Sequence, residues 1–140
     1  MVKVWDDGIY DAPLEKVWKY VNDNMMHQHR AFKVSKVVEQ KGNMLTIESD
    51  VSNPGGKGTH KETWKWVFNP PKGFDMEYLA GPWKGSRHTH TYTPMGTRTK
   101  VELAGDFKIQ GMDDAGTKKA VLAYFNEVFT EDTAALAKYK

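Results

Sequence analysis

The chain has 140 residues, 39% hydrophobic and 12% aromatic, and a formal charge of +2 from 20 Lys and Arg set against 18 Asp and Glu. That length suits one domain over residues 1–140 burying roughly two thirds of its unfolded surface, and charges of both signs interspersed throughout offer no basic stripe for phosphate, which argues against nucleic acid as a partner. The lack of cysteine excludes disulfides, thiolate metal sites and a cysteine nucleophile. With neither a charged-then-apolar leader nor an apolar run of about 18 residues, no membrane span and a cytoplasmic location are expected.

In chain order, Val2–Tyr10 alternates as a strand and Asp11-Ala12-Pro13 stops it. Pro13 suits the first position of a helix capped by Asp11 or Ala12, and Glu15 lies near the positive end of its dipole. Leu14, Val17, Trp18 and Val21 then recur at the spacing of a buried helical stripe. Asn22 to Phe32, polar with Met25 and Met26 as its main apolar content, predicts a second short helix or helical turn. Lys41-Gly42-Asn43, Asn53 to Gly58 and Asn69 to Gly73 are hairpin signals that separate strands Val34–Gln40, Met44–Val51, Thr59–Phe68 and Phe74–Ala80. Gly81-Pro82 and Pro94-Met95-Gly96 bound two more, Trp83–Thr93 and Arg98–Gln110. From Asp113 to Lys140 the positions Val121, Leu122, Phe125, Val128, Phe129, Leu136 and Tyr139 define one face of a helix, ~40 Å long at 1.5 Å per residue. A single helix covers a strongly curved antiparallel sheet only along a line, so the space beside it is either filled by large side chains or left as a cavity.

The opening Ile9-Tyr10-Asp11-Ala12-Pro13-Leu14-Glu15-Lys16-Val17-Trp18 resembles the "strand, Ala-Pro, x-x-Val-Trp" start of the START/polyketide cyclase-like superfamily, also called SRPBCC. Tyr92 to Val101, with Gly96-Thr97, resembles its late Gly-Thr hairpin. The resemblance spans nearly the whole chain and rests on structural motifs. It implies an α+β helix-grip fold: a seven-stranded curved antiparallel sheet wrapped around a long C-terminal helix, with two short helices after the first strand. It also implies an internal pocket for lipids, sterols, polyketides, hormones or other apolar molecules. It implies no single reaction, since carriers, cyclases, aromatases and chaperone co-factors share the fold, and function has to come from the pocket.

Strand parity selects the lining. His60, Glu62, Trp64, Trp66 and Phe68 share one face, and its three large aromatics turn that face inward. Phe74, Met76, Tyr78 and Ala80 are favoured inward on the next strand, as are Val101, Leu103, Gly105, Phe107 and Ile109 against charged even positions. Between them His88, His90 and Tyr92 are placed inward, Tyr92 sealing the sheet end. The expected ligand-binding set is Trp64, Trp66, Tyr78, His88, His90, Tyr92, Phe107, Phe125, Phe129 and Asp132, around a cavity of about 300 Å³ or more. His88, His90, Asp132 and Glu62 are the candidates for a general base. Asp132 interrupts the apolar helical face, where a carboxylate needs a partner or a raised pKa; it serves either a ligand or a structural hydrogen-bonded pair.

Other chemistries find little support. His88 and His90 project to one strand face, and His27 and His29 share the same interval, but no Cys or HExxH context accompanies them and no metal or other cofactor is expected. Gly55-Gly56-Lys57-Gly58-Thr59 joins two strands, so it is a hairpin tip and not a phosphate loop, which leads into a helix. Ser86 lacks the frame of a nucleophile elbow. The leading expectation is a binder of an apolar small molecule, lipid-, sterol- or polyketide-like. A cyclase, dehydratase or aromatase of the polyketide type is the alternative, and an interaction protein of the chaperone-activator kind is third. Trp5 or Trp83, if exposed, would suit a dimer interface, and the oligomeric state stays open.

Overall fold

The structure is a computed structural model and describes residues 1–23, 29, 32–53 and 57–139. The element order is β1 (Val2–Tyr10), α1 (Leu14–Val21), β2 (Phe32–Lys41), β3 (Met44–Ser52), β4 (Thr59–Asn69), β5 (Gly73–Ala80), β6 (Arg87–Met95), β7 (Arg98–Phe107) and α2 (Asp114–Lys138). The strands form one antiparallel sheet in the order β1-β7-β6-β5-β4-β3-β2, so only the β1–β7 pairing joins strands distant in sequence. This is the helix-grip α+β architecture expected from the sequence. The second short helix expected over Asn22 to Phe32 falls largely outside the described residues.

Parity at the sheet follows the apolar alternation. Glu62, Trp64, Met76, Tyr78, His88, Tyr92, Val101, Leu103 and Phe107 are all buried. β1 adds Val4 and Tyr10, and places Gly8 where a Cβ would come within 2.6 Å of the Phe129 ring. The missing side chain therefore lets α2 lie close on this edge of the sheet. β2, at the opposite edge, is exposed along nearly its whole length, with Val34, Val37 and Val38 about half accessible. Two irregularities in its pairing to β3 interrupt its alternation, a common way of blunting an edge.

Boundaries differ from the sequence expectation where local hydrogen bonds compete with pattern. Neither Asp11 nor Ala12 caps α1: Pro13 is the capping residue, without a side-chain bond, and its carbonyl accepts from Lys16 and Val17 N–H. The sixth strand starts at Arg87 and not at Trp83, because Gly81 to Ser86 close a turn through Lys84 N–H to Gly81 O and Ser86 N–H to Trp83 O. Trp83 is accordingly folded onto Tyr78, Phe107 and Tyr124 instead of standing exposed, whereas Trp5 is 57% exposed. β7 ends at Phe107, and α2 begins after Asp113, whose Oδ1 accepts from Gly116 N–H at 2.7 Å.

Candidate functional site

Seven of the expected ligand-binding residues meet in one cluster between the sheet and the first half of α2. Trp64 contacts Trp66 and Tyr78 at 6.1 and 6.0 Å between ring centroids, Tyr78 contacts His88 at 5.9 Å, and His88 stacks on Phe107 at 5.7 Å. Phe125 descends from α2 edge-on to His88 at 5.0 Å and lies 5.7 Å from His90. Tyr92, Phe129 and Asp132 lie apart from these, toward α1: Tyr92 packs against Trp18, Phe129 against Tyr10, and Asp132 bonds to Tyr20. The expected lining is thus two neighbouring groups that meet at His90, 6.5 Å from Tyr92, and at Phe74, which touches both.

The rings nearly fill the interior. Among the described residues the void found on the helix-facing side, bounded by Val51, Glu62, Trp64, Tyr78, Trp83 and Tyr124, has a volume of about 10 Å³, comparable with one water molecule. This void is far smaller than the cavity of about 300 Å³ or more expected from the sequence. Tyr124 and Trp83, 5.4 Å apart, and Phe32, 4.9 Å from Trp64, occupy the space. A larger hollow of about 400 Å³ lies around β4–β7. Charged Lys65, Asp75, Glu77, Arg87 and Asp106 line it together with Val67, Met76, His88 and Ala104.

Polar atoms inside the ring cluster carry the strongest functional signal. His88 is 3% exposed, and neither Nδ1 nor Nε2 has a hydrogen-bond partner among the described residues; Trp66 Nε1 and Ser49 Oγ share that condition. Burial, followed by the neighbouring His90, pushes the His88 pKa well below its ordinary 6.5. The ring is therefore neutral and presents one donor and one acceptor. An unsatisfied buried polar group costs roughly 1–3 kcal/mol, so native proteins keep few of them without a use.

A second polar group borders the void. Glu62, 2% exposed, accepts from Trp64 Nε1 at 2.9 Å and meets His60 Nε2 at 2.5 Å. His60 Nδ1 lies 2.7 Å from Asn53 Oδ1. The i, i+2 spacing of a strand puts His60 and Glu62 on one face, so this pairing of a carboxylate with a histidine was legible in the sequence; the contribution of Asn53 was not.

Asp132 proves to be a junction. Tyr20 donates to its Oδ1 at 2.8 Å, Tyr10 to its Oδ2 at 3.4 Å, and His29 Nε2 lies 3.2 Å from Oδ1 while Nδ1 lies 3.3 Å from Glu131. Burial and the Asp132 charge both raise the phenol pKa values of Tyr10 and Tyr20, keeping them protonated donors. For His29 burial alone would lower the pKa, but hydrogen bonds and charge from Asp132 and Glu131 outweigh it and raise it above 6.5. The cation then contributes fully at pH below the unfolded value and loses its contribution as pH rises through the folded value. Melting temperature is expected to fall as pH rises above about 6.5 more steeply in the wild type than in His29→Gln; equal slopes would remove His29 from the account.

Sequence reasoning passed over Tyr124, Phe32 and Ser49. Tyr124 lies three residues after Val121 and four before Val128, so the helical stripe itself contains the signal. Burial, with Glu62 as the largest charge contribution, raises the Tyr124 pKa; for Tyr78, burial acts first, then Tyr124 and Glu62. Both phenols at the void are thus neutral.

A family model described as polyketide cyclase / dehydrase and lipid transport matches residues 1–139. No curated protein sequence matches the chain. Among solved structures, an uncharacterised protein from Bacillus thuringiensis superposes with a TM-score of 0.74 at 15% identity, covering 97% of this chain and 99% of that one. The Zhui aromatase/cyclase from Streptomyces sp. R1128 gives 0.68 at 15% identity, covering 96% and 90%. The two-domain aromatase/cyclase StfQ of the steffimycin biosynthetic pathway gives 0.76 at 12% identity, covering 99% of this chain and 50% of that one. At these identities the structural likenesses establish the fold. No helix among the described residues is long and apolar enough to cross a membrane.

Proposed function

The chain belongs to the polyketide cyclase / dehydrase and lipid transport family, and from that premise we propose that it binds an apolar, ring-containing small molecule between the sheet and the first half of α2. The observation that carries this reading is His88, a neutral imidazole enclosed by Phe107, Phe125 and Tyr78, with both nitrogens unpartnered among the described residues. A ligand with a hydroxyl or carbonyl satisfies those atoms, while its rings replace side chains now filling the void. Trp83 and Tyr124, which close the void beside Glu62, are the groups a ligand displaces. The lack of cysteine suits the cytoplasm as the place of action.

An enzyme of the cyclase, dehydratase or aromatase kind is the second reading. The His60–Glu62 pair at the void favours it, since a paired carboxylate and imidazole is the usual equipment of a general acid or base. A filled interior also suits an interaction protein, but such a core has no use for polar atoms such as those of His88, Trp66 and Ser49 that have no partner among the described residues, which sets that reading third.

Native mass spectrometry of the protein as purified, with calorimetric titration of 2-naphthol as a bicyclic probe, tests binding directly. His88→Leu removes both nitrogens, so the empty protein is expected to gain about 1–2 kcal/mol of stability while 2-naphthol affinity falls about tenfold. Unchanged affinity in this variant would contradict the placement of the ligand at His88.

A further inference from the structure

We infer that the aromatic side chains enclosing Glu62 form a site for a methylated ammonium group, so that the ligand of this interior carries a cationic end. This names the chemical class of the ligand and rests on the binding reading above.

Five rings make a closed circuit on the helix-facing side of the sheet. Trp64 meets Tyr78 at 6.0 Å between centroids, Tyr78 meets Trp83 at 5.4 Å, and Trp83 meets Tyr124 at 5.4 Å. Phe32 completes the circuit, 6.5 Å from Tyr124 and 4.9 Å from Trp64. Successive rings from Trp64 to Tyr124 are inclined by 69°, 31° and 59°, so they wall a space instead of forming one flat stack. Among the described residues Glu62 is the one carboxylate on the wall of the void they border. An aromatic face carries negative charge density, and an enclosure of such faces attracts a cation most strongly where water is excluded.

A buried cation also needs a counter-charge, which Glu62 supplies. The side chain is 2% exposed, with Trp64 Nε1 at 2.9 Å from one oxygen and His60 Nε2 at 2.5 Å from the other, and lone pairs remain on both. Asn53 Nδ2 donates to the Lys57 carbonyl at 3.0 Å, which turns Asn53 Oδ1 toward His60; His60 Nδ1 is therefore an N–H that donates to it at 2.7 Å. Nε2 and Glu62 then share one proton. A cation in the void draws that proton onto the imidazole, whose side chain is 22% exposed. Positive charge is thus carried on the solvent side, and the negative charge faces the ligand. A neutral group of the same shape gains the apolar contact without the attraction of ring faces and carboxylate.

Room for the group comes from Trp83. It belongs to the turn Gly81 to Ser86, with Gly81 and Gly85 at φ of 102° and 91° on either side, so its ring can swing without unpairing a strand. The void of about 10 Å³ then widens, and Trp83 and Tyr124 part while staying against the ligand.

Calorimetric titration with choline and with 3,3-dimethyl-1-butanol, its uncharged counterpart of the same shape, tests this. Wild type is expected to bind choline about tenfold more tightly than the alcohol, and the choline methyl resonance is expected to move upfield as the rings shield it. Glu62→Gln, which still accepts from Trp64 and donates to His60, is expected to bind the two compounds alike. Trp83→Leu keeps the carboxylate but removes one wall, and is expected to lose about threefold in choline affinity. Titration of 2-naphthol alongside separates the two ideas. If 2-naphthol binds but choline binds no tighter than the alcohol, or its preference survives Glu62→Gln, the ammonium site is wrong and the binding cavity stands. If choline binds with the expected preference and 2-naphthol does not, the ammonium site stands and the placement of a ring at His88 fails. If none of the three compounds binds the wild type, the cavity reading fails and this inference with it.

Discussion

Asp132→Ala is expected to lower stability by about 3–5 kcal/mol, the cost of breaking a buried ion pair from one side. The carboxylate is 7% exposed and takes contacts from three other parts of the chain: Tyr10 at the end of β1, Tyr20 in α1, and His29. Alanine takes this acceptor from two buried phenol hydroxyls and from the His29 imidazole, whose Nδ1 lies 3.3 Å from Glu131. Asp132→Asn keeps an acceptor oxygen but places amide hydrogens against donors, so it is expected to recover only part of the loss. Urea unfolding at neutral pH measures both. A change below about 1 kcal/mol for the alanine variant would mean that the junction adds little and that Asp132 is held for a ligand instead. The two outcomes separate the structural and functional readings left open by sequence, and the geometry favours the structural one.

Gly105→Ala is expected to cost about 3 kcal/mol, at the upper end of ordinary overpacking, and to weaken 2-naphthol binding together with stability. Gly105 pairs with His88 across the β6–β7 ladder. A Cβ there would stand 2.3 Å from Arg87 O and 2.5 Å from His88 Cβ. Both obstacles belong to backbone or to the root of a side chain, so no rotamer change relieves them and the two strands must separate locally. Since the His88 ring stacks on Phe107, two residues beyond Gly105, that separation moves the imidazole proposed to hold the ligand. Unfolding curves combined with probe titration check the pair of effects. A stable Gly105→Ala protein with unaltered binding would show that the strands can part here without disturbing the interior.

Much of this fold was legible in the chain because it rests on short-range rules. Alternation along Val101 to Phe107 and along His60 to Phe68 fixes their inward faces, and the Gly- and Pro-containing turns fix where strands reverse. The stretch Trp83 to Ser86 misled because its aromatic residue looks like strand while Gly85 and the preceding Gly81, both at positive φ, form a turn. Tyr10, Tyr20 and Asp132 are 112 or more residues apart where they bond, and no spacing rule reaches that far. The closure of the interior was equally invisible: it depends on which way Tyr124, Trp83 and Phe32 turn their rings, and a sequence records their bulk without their direction. Parity did turn His88 and Glu62 inward; only the three-dimensional packing shows that, among the described residues, one lacks hydrogen-bond partners and the other has two.

The two halves of α2 are held by different kinds of force. Near Asp132 the helix is tied to β1 and α1 by directional hydrogen bonds to fixed donors, whereas from Val121 to Phe125 it meets the sheet through rings and aliphatic groups. Hydrogen bonds tolerate little change of identity, while hydrophobic contacts accept volume-conserving exchange at small cost. Substitutions can therefore accumulate at Phe125, Tyr124 and Trp83 and reshape what the interior accepts, while the Asp132 end keeps the helix in place. In evolutionary terms the chain separates the part that must be conserved to fold from the part whose side chains can change without loosening the helix.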